Sequence, residues 1–529
     1  MCLLSSAQKH EVRAVWLATI GGIDWPRSHN AAEQRREMIR TLDMLKAAGI
    51  NTVLLQTRVR ASTIYPSAIE PWDACLTGSH GRAPGYDPLQ FCIDECHRRG
   101  MELHAWIVTI PVGKLTEARC KEFQRRNPQL FSKVGDSGYM NPENPRTGDY
   151  LARICQEVTR NYDIDGIHLD YIRYPETWKL KVSRAQGRQN ITSIVRKIHQ
   201  AVKQEKPWVK LSCSPIGKHG DLTRYRSGGW NAYNAVCQHA QEWMREGLMD
   251  QLYPMQYFRG NNYFPFLLDW QEQSADCGIV SGLGIYFLDP REGKWTLDDV
   301  RQQMFFCREV GAGHSFFRSK FLTDNTKGIY DFTRHFNRLP ALPHPLKATG
   351  KAAPEAPAGL QLKNGQLSWP AAVNNNDSPY LLYNVYASRD YPVDTSCPEN
   401  LVGWRLRATS VSVKPAPGLY YAVCAVDRYG QESSPRQMDD EKARALMGAT
   451  ARRIELTDGQ WLVMPPKDQA LDAKYAAIET LHGQLVMTIA YQEQQRINIS
   501  HLPEGIYQLR SLGHKGSHHR IGFFAIKRR

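Results

Sequence analysis

Residues 161–175 read NYDIDGIHLDYIRYP, an apolar alternation that carries two aspartates, a histidine and an arginine. Read as a strand, the stretch puts His168 and Asp170 on one face, because successive side chains point to opposite sides. Asp165 lies five positions before Asp170, roughly 16 Å along an extended chain, so the two cannot serve one reacting bond. Asp165 precedes Gly166 at the strand's entry, where a carboxylate satisfies the backbone donors of a turn. Asp170 lies at the exit, where it can give or take a proton. Acid–base work on both sides of a bond needs a second carboxyl group. Glu176, in the loop after the strand, is the first candidate, and Asp24, before Trp25-Pro26, the second. Glu70 in SAIEPWDACLTG is a further one, whereas Asp250 begins its strand and is expected to brace the opposite end.

The elements that must hold these groups alternate regularly. From about residue 10 to 340, short apolar runs such as EVRAVWLATI, GINTVLLQTRV, MELHAWIV and WVKLSCSPIG alternate with amphipathic helical patterns. In the first helical pattern Met38, Leu42 and Leu45 share a face. Gly49, Gly100, Gly247 and Gly311 each follow a helical pattern, where a left-handed cap costs least. Asp87-Pro88, and Thr296 with Asp299, supply helix starts. Eight strands, each followed by a helical stretch, predict an α/β chain with a (β/α)8 TIM barrel. A doubly wound open sheet is the rival, but no glycine-rich phosphate loop follows the first strand.

A barrel of this kind collects its working residues at the C-terminal ends of its strands. Those ends are read as Arg13 and Trp16, then Asp24 and Trp25; Gln56 and Arg58, then Tyr65; His104 and Trp106; His168, Asp170, Arg173 and Tyr174; and later Trp230, Gln256 and Tyr257. Ser214, Tyr286 and Arg318 join the same rim. Aromatic rings mixed with carboxylates, amides and guanidiniums suit sugars, whose apolar faces stack while their hydroxyls take planar hydrogen bonds. No His, Asp or Glu grouping has metal-ligand spacing and no G-x-S-x-G elbow appears, so neither a metal nor another cofactor is expected.

Composition sets the bounds. The 529 residues are 42% hydrophobic and 23% charged, as in a folded protein of several domains. No apolar run has the length of a membrane span. The net charge of +14 is compatible with a solvated surface or an acidic glycan partner. Nucleic acid gains no support, since neither a basic helix nor an RNA-binding motif is present. The 12 cysteines lack C-x-x-C pairs and leave the compartment open. Residues 1–8, MCLLSSAQ, read as the remnant of a secretory signal, which places the chain in the periplasm or at the cell surface.

The barrel is read as 9–340 and the Pro/Ala/Lys-rich stretch 341–357 as a linker. Beyond it the period changes to two, and two small all-β sandwich domains are expected, at 358–445 and 450–529. Trp369, Tyr383 and Tyr421 are assigned to the first sandwich's interior. The run WP…YNVYAS…YYAVCAVDRYGQES resembles a fibronectin type III module. The tail INISHLPEGIYQLRSLGHKGSHHRIGFFAIKRR resembles the C-terminal β-domains of many Bacteroidetes secreted proteins, some of them sorting signals.

EVRAVWLATIGGIDWP, YPSAIEPWDACLTGSHGRAPGYDPLQFCIDECHRRGMELHAWI, YDIDGIHLDYIRYPE and GLMDQLYPMQYF together resemble the glycosyl-hydrolase-like family ten, in the family's order across nearly all of the barrel. The resemblance implies a (β/α)8 envelope protein and a carbohydrate polymer as partner, and in one branch a glycosidase of peptidoglycan strands stripped of their stem peptides. It departs from the family at Asp170-Tyr171, where relatives carry two aspartates, and at Met255-Gln256, where relatives place the glutamine first. Against the chitinase pattern D-G-x-D-x-D-x-E, Asp165, Gly166 and Asp170 fall in register, but His168 and Ile172 replace an acid and the proton-donating glutamate. The expected activity is glycoside hydrolysis by Asp170 and Glu176. The alternative is a non-catalytic glycan-binding protein on the same scaffold.

Overall fold

The structure, a computed structural model, describes residues 8–223, 225, 230–346, 350–414, 416, 419–438, 456–457, 460–464, 473–480, 485–492, 495–513 and 518–526. Residues 1–7 of the expected signal remnant and 347–349 of the expected linker lie outside them.

Eight strands form a closed barrel: β1 (Arg13–Leu17), β2 (Thr52–Arg58), β3 (Glu102–Val108), β4 (Gly166–Asp170), β5 (Lys210–Cys213), β6 (Gln251–Leu252), β7 (Gly278–Leu283) and β8 (Gly313–Phe316). Each pairs in parallel with its neighbours in chain order, and β8 pairs with β1 in the register Arg13 with His314. Every residue of β1 to β4 is buried, because one face of each strand meets the lumen and the other meets helices. Ala14, Trp16, Leu54, Trp106 and Val108 pack together inside the barrel. Val15, Leu17, Val53, Leu55, Ile167 and Leu169 belong to the larger outer core beneath the helices.

Local chemistry sets the helix ends. Helix α1 (Ala31–Ala47) starts at Asn30, whose side chain accepts from the amides of Ala32 and Glu33. Helix α2 (Pro88–Arg98) starts at Asp87, which accepts from the Gln90 amide at 3.1 Å. Helices α3 (Pro145–Asn161) and α4 (Arg184–Glu205) flank β4, and Thr296 with Asp299 closes a reciprocal capping box further on. Gly49, Gly100, Gly247 and Gly311 take φ of 72°, 68°, 67° and 73°, the left-handed conformation expected of cap residues.

The sequence pattern did not separate out an insertion between β3 and α3. There Pro111–Lys114, Phe131–Val134 and Ser137–Met140 form a small antiparallel sheet at the barrel's C-terminal side. Its Tyr139 ring meets Trp178, which also packs on Tyr174, so the insertion braces the loop that leaves β4.

At the barrel's entry, buried Glu11 pairs with Arg13 at 2.7 Å and Arg308 at 2.9 Å. Burial alone would raise its pKa, but Arg13, Arg308 and His314 outweigh it and hold the carboxyl at about 2. A depressed acid stabilises the fold above its unfolded pKa. We therefore expect roughly 3 kcal/mol of stability that is complete above the ordinary value of 4.5 and lost as pH falls toward about 2. Acid-denaturation curves of wild type and Glu11→Gln should converge as that limit is approached.

The described residues after the barrel are built mainly of antiparallel β-sheets. Antiparallel sheets of three and four strands enclose Leu367, Trp369, Tyr383, Val385 and Tyr421. A second such pair, within 456–526, encloses Leu462, Ile478, Ile499, Leu509 and Phe524. The first pair docks on the barrel through charge. Asp165 accepts from Arg405 at 2.6 Å, Arg428 at 2.7 Å, His97 at 2.8 Å and the Leu103 amide at 2.9 Å.

Candidate active site

Asp170 closes β4, paired with Val108 of β3, and its side chain turns into the mouth of the barrel. One carboxyl oxygen accepts from the Trp106 indole at 3.1 Å; the other accepts from the Ser214 hydroxyl and the Tyr171 amide, both at 2.8 Å. Only 6% of the residue is exposed. Burial raises its pKa, against the opposing pull of Ser214, the Arg173 charge, the Tyr171 amide and Trp106. A carboxyl group in this setting keeps its proton more readily than an ordinary aspartate.

Glu176 is in the opposite state. Its carboxylate meets the Arg173 guanidinium at 2.8 Å and is 46% exposed. Burial alone would raise its pKa, but the Arg173 hydrogen bond and charge lower it. Arg173, itself 3% exposed, is thus the cation shared by both acids. Its guanidinium stands 4.7 Å from the Tyr171 ring centre and 5.8 Å from that of Trp230, whose 43% exposure leaves an indole open at the rim. Tyr257, tilted against Phe317 at 5.4 Å, completes the wall; burial, and then the Asp170 charge, pushes its phenol up.

Several expected contact residues serve the scaffold instead. Arg13 has the parity opposite to Trp16, so it faces away from the lumen and binds Glu11 and the carbonyls of Asn337 and Leu339. Arg58 follows a register slip between Gln56 and Arg58. It ends in an ion pair with Glu70 at 2.6 Å, beside the carbonyls of Val108 and Thr109; a bulge re-aims a side chain in this way. Glu70 is thereby committed too. Tyr65 donates to Glu157 of α3, and Trp25 donates to the Gln34 carbonyl of α1. Tyr174 accepts from Asn190 of α4. His104 shares Trp106's face but lies one lumen layer deeper, bonded to Glu102 and filling the space over Gly166.

Others stand near the mouth but are already engaged. Gln56 holds the loop after β1 by accepting from the amides of Thr19 and Ile20. Asp24 pairs with Arg318 and accepts from the Ala18 amide; burial raises its pKa. His168 accepts the Trp16 indole proton at 3.1 Å and bonds Ser212 at 3.0 Å. Burial, and then His104, holds it neutral, so it is a packed lumen histidine below the working layer. Gln256 is fully covered and accepts from Ser281, while its amide nitrogen meets no hydrogen-bond acceptor among the described residues. Asp250, bonded to Lys203 and the Leu211 amide, braces the entry side.

The sequence does not signal the roles of two members of the site. Ser214 lies on the rim, and only the pairing of β4 with β5 brings it onto Asp170. Tyr171 takes φ of 54°, a left-handed conformation that nothing in the local sequence signals. Cavities of 390 and 720 Å³ lie elsewhere, at the entry end and at the seam with the first β-sheets. Among the described residues no three His, Cys, Asp or Glu side chains gather as a metal ligand set.

A closed (β/α)8 barrel with a protonatable carboxyl group at the exit of β4, a paired carboxylate on the next loop and aromatic walls is a barrel of glycosidase type. The chain belongs to the glycosyl hydrolase-like 10 family, whose profile matches residues 11–184 and 179–276. Glycosyl hydrolase YngK of Bacillus subtilis (strain 168) is 30% identical over 407 residues, 69% of this chain and 80% of that one. Glycosyl hydrolase DigH of Escherichia coli (strain K12) is 30% identical over 287 residues, 47% of this chain and 65% of DigH. Among solved structures, the PgaB (BpsB) glycoside hydrolase domain of Bordetella bronchiseptica aligns at 14% identity and a TM-score of 0.45, over 63% of this chain and 100% of that one.

Proposed function

We propose that the chain hydrolyses glycosidic bonds in an amino-sugar-containing bacterial polysaccharide, with peptide-free peptidoglycan strands as the first substrate to test. One observation carries the reading. Asp170 and Glu176 sit around one arginine, and their surroundings push their pKa values in opposite directions. Such a separation supports the reading of one group as acid and the other as base. Asp170 gives its proton to the leaving glycosidic oxygen. Glu176 stays ionised to meet the positive charge at the anomeric carbon or to activate the incoming water. Trp230 and Tyr257 offer faces for pyranose rings. Export to the periplasm or cell surface, with the β-sheets as wall-facing or sorting modules, fits such a substrate and forms part of the same proposal.

Reducing ends should accumulate when the purified chain is incubated with amidase-treated sacculi. The profile of kcat/KM against pH should be bell-shaped. The rate rises as Glu176 ionises below the ordinary glutamate range, and falls as Asp170 loses its proton above the ordinary aspartate range. A second reading has its own support, since the protein already fills three acceptor positions of Asp170. Binding of the strands without release of ends, over long incubation and a broad glycan panel, would establish a glycan-binding protein instead.

A further inference from the structure

The turn after β2 holds a cation in a backbone conformation that its residue type resists. Arg58 and Thr63 bridge as antiparallel neighbours, and the Val59 amide donates to the Ser62 carbonyl at 2.7 Å. Between them Arg60 and Ala61 take φ of 56° and 57°. Two successive positive φ values are what a two-residue hairpin loop demands, and Asn-Gly ordinarily meets them. Here both residues carry a Cβ, which crowds the backbone in that region. The surroundings hold the turn closed. Arg119 donates to the Val59 carbonyl at 3.0 Å and meets Asp73 at 2.6 Å, and the Ser62 hydroxyl meets the same Asp73 at 2.5 Å. Strain that neighbours enforce clusters at functional sites, and Tyr171, with φ of 54°, carries it on the loop that leaves β4.

The turn also brings charge to the site. Arg60 is partly exposed, and among the described residues no carboxylate forms an ion pair with it. Burial, then Asp170, raises the pKa of the Tyr171 phenol, while the charges of Arg173 and Arg60 pull it down. The nearby Glu117 carboxylate is already bonded to Arg119 at 3.0 Å and to the Lys114 amide at 3.1 Å. Arg173 stands 4.7 Å from the centre of the Tyr171 ring, and its Nε meets no acceptor among the described residues. Tyr171 thus lies in the field of two guanidiniums, one engaged with Glu176 and one open.

We infer that Arg60 is a specificity residue, which takes the carboxylate of an acidic sugar bound near Asp170 with the Tyr171 ring as the adjoining wall. The inference rests on the hydrolase reading above and narrows its substrate to strands that carry a free carboxyl group. An amidase that removes the stem peptides exposes such a group on alternate sugars, where the intact strand holds a neutral amide. A guanidinium forms two parallel bonds to a planar carboxylate and has no equivalent match in an amide. The rigid turn fixes where the side chain starts, which lowers the ordering cost of binding.

The test compares amidase-treated strands with the same strands after carbodiimide and ammonia have converted their carboxyl groups to primary amides. Binding and release of reducing ends are both measured on the full chain at low salt. The carboxylate strands should bind at least about tenfold tighter, as expected of a charge-assisted hydrogen bond, and the preference should shrink as salt rises. Arg60→Gln should erase the difference. Arg60→Gly relieves the positive φ, so its melting temperature should hold or rise while the preference is lost. Equal binding of the two preparations by the wild type overturns the inference, as does a preference that survives in both variants. A lower melting temperature in Arg60→Gly would make Arg60 a brace of the turn instead. Preference for the carboxylate strands without release of ends keeps the subsite and removes the hydrolase reading; cleavage of both preparations at equal rates does the reverse.

Discussion

Replacing Asp170 by asparagine is expected to lower glycan cleavage by a factor on the order of 10² to 10⁴ while leaving the fold intact. The amide oxygen can still accept from Trp106 or Ser214, so the mouth keeps its shape, but no proton can be given to the leaving oxygen. The amide nitrogen faces one N–H donor, of Trp106 or of Tyr171, at a cost of about 1–3 kcal/mol, which a second effect offsets in part. Because burial raises the folded pKa of Asp170, the folded state holds its proton more tightly than the unfolded chain does. Stability therefore decreases as pH rises through the interval above the unfolded pKa, and asparagine removes that penalty at neutral pH. Reducing-end assays and thermal melts on the same preparations separate the two effects. Wild-type turnover in Asp170→Asn would remove Asp170 from the mechanism, and a large drop in melting temperature would recast it as a structural group.

The other aspartate of the opening strand should behave in the reverse manner. Asp165→Ala is expected to cost about 3 kcal/mol of stability, because it removes the buried carboxylate that Arg405 and Arg428 both meet, leaving Arg405 with Glu102 and Arg428 with Asp163 and the Ile164 carbonyl. Arg405, Arg428 and His97 each lose their shortest contact to a carboxylate, and Arg428 is 2% exposed at its side chain. Burial alone would raise the Asp165 pKa, yet His97, Arg405 and Arg428 pull it well below the ordinary value. Its contribution is present above the unfolded pKa and lost as pH falls below it. Urea titration gives the magnitude. A cost under about 1 kcal/mol would mean that the seam is solvated and the β-sheets hang free of the barrel. Cleavage per folded molecule should stay near wild type, since Asp165 lies five positions before Asp170, at the other end of the strand.

How much of this was legible beforehand depended on the range of the interaction. Glycine caps, the Asp87-Pro88 start and the Thr296–Asp299 box are settled within a few residues, and each stands where the pattern put it. Strand parity was also present in the sequence, and a strict use of it separates Trp16 from Arg13. His104 passes that parity test and fails on depth, because the pattern of a strand does not say how many layers lie beneath its mouth. Arg58 fails for a local reason, a register slip that a continuous apolar run conceals.

The sequence by itself determined the barrel, its family and the one exit carboxyl group, since alternating apolar strands, caps and spacing are properties of neighbouring residues. Only the tertiary structure decided the electrostatics. Ser214 reaches Asp170 across 44 residues, and Arg428 reaches Asp165 across 263. A carboxyl group's proton affinity depends on burial and on the charges around it, which the closed barrel and its docked sheets bring together.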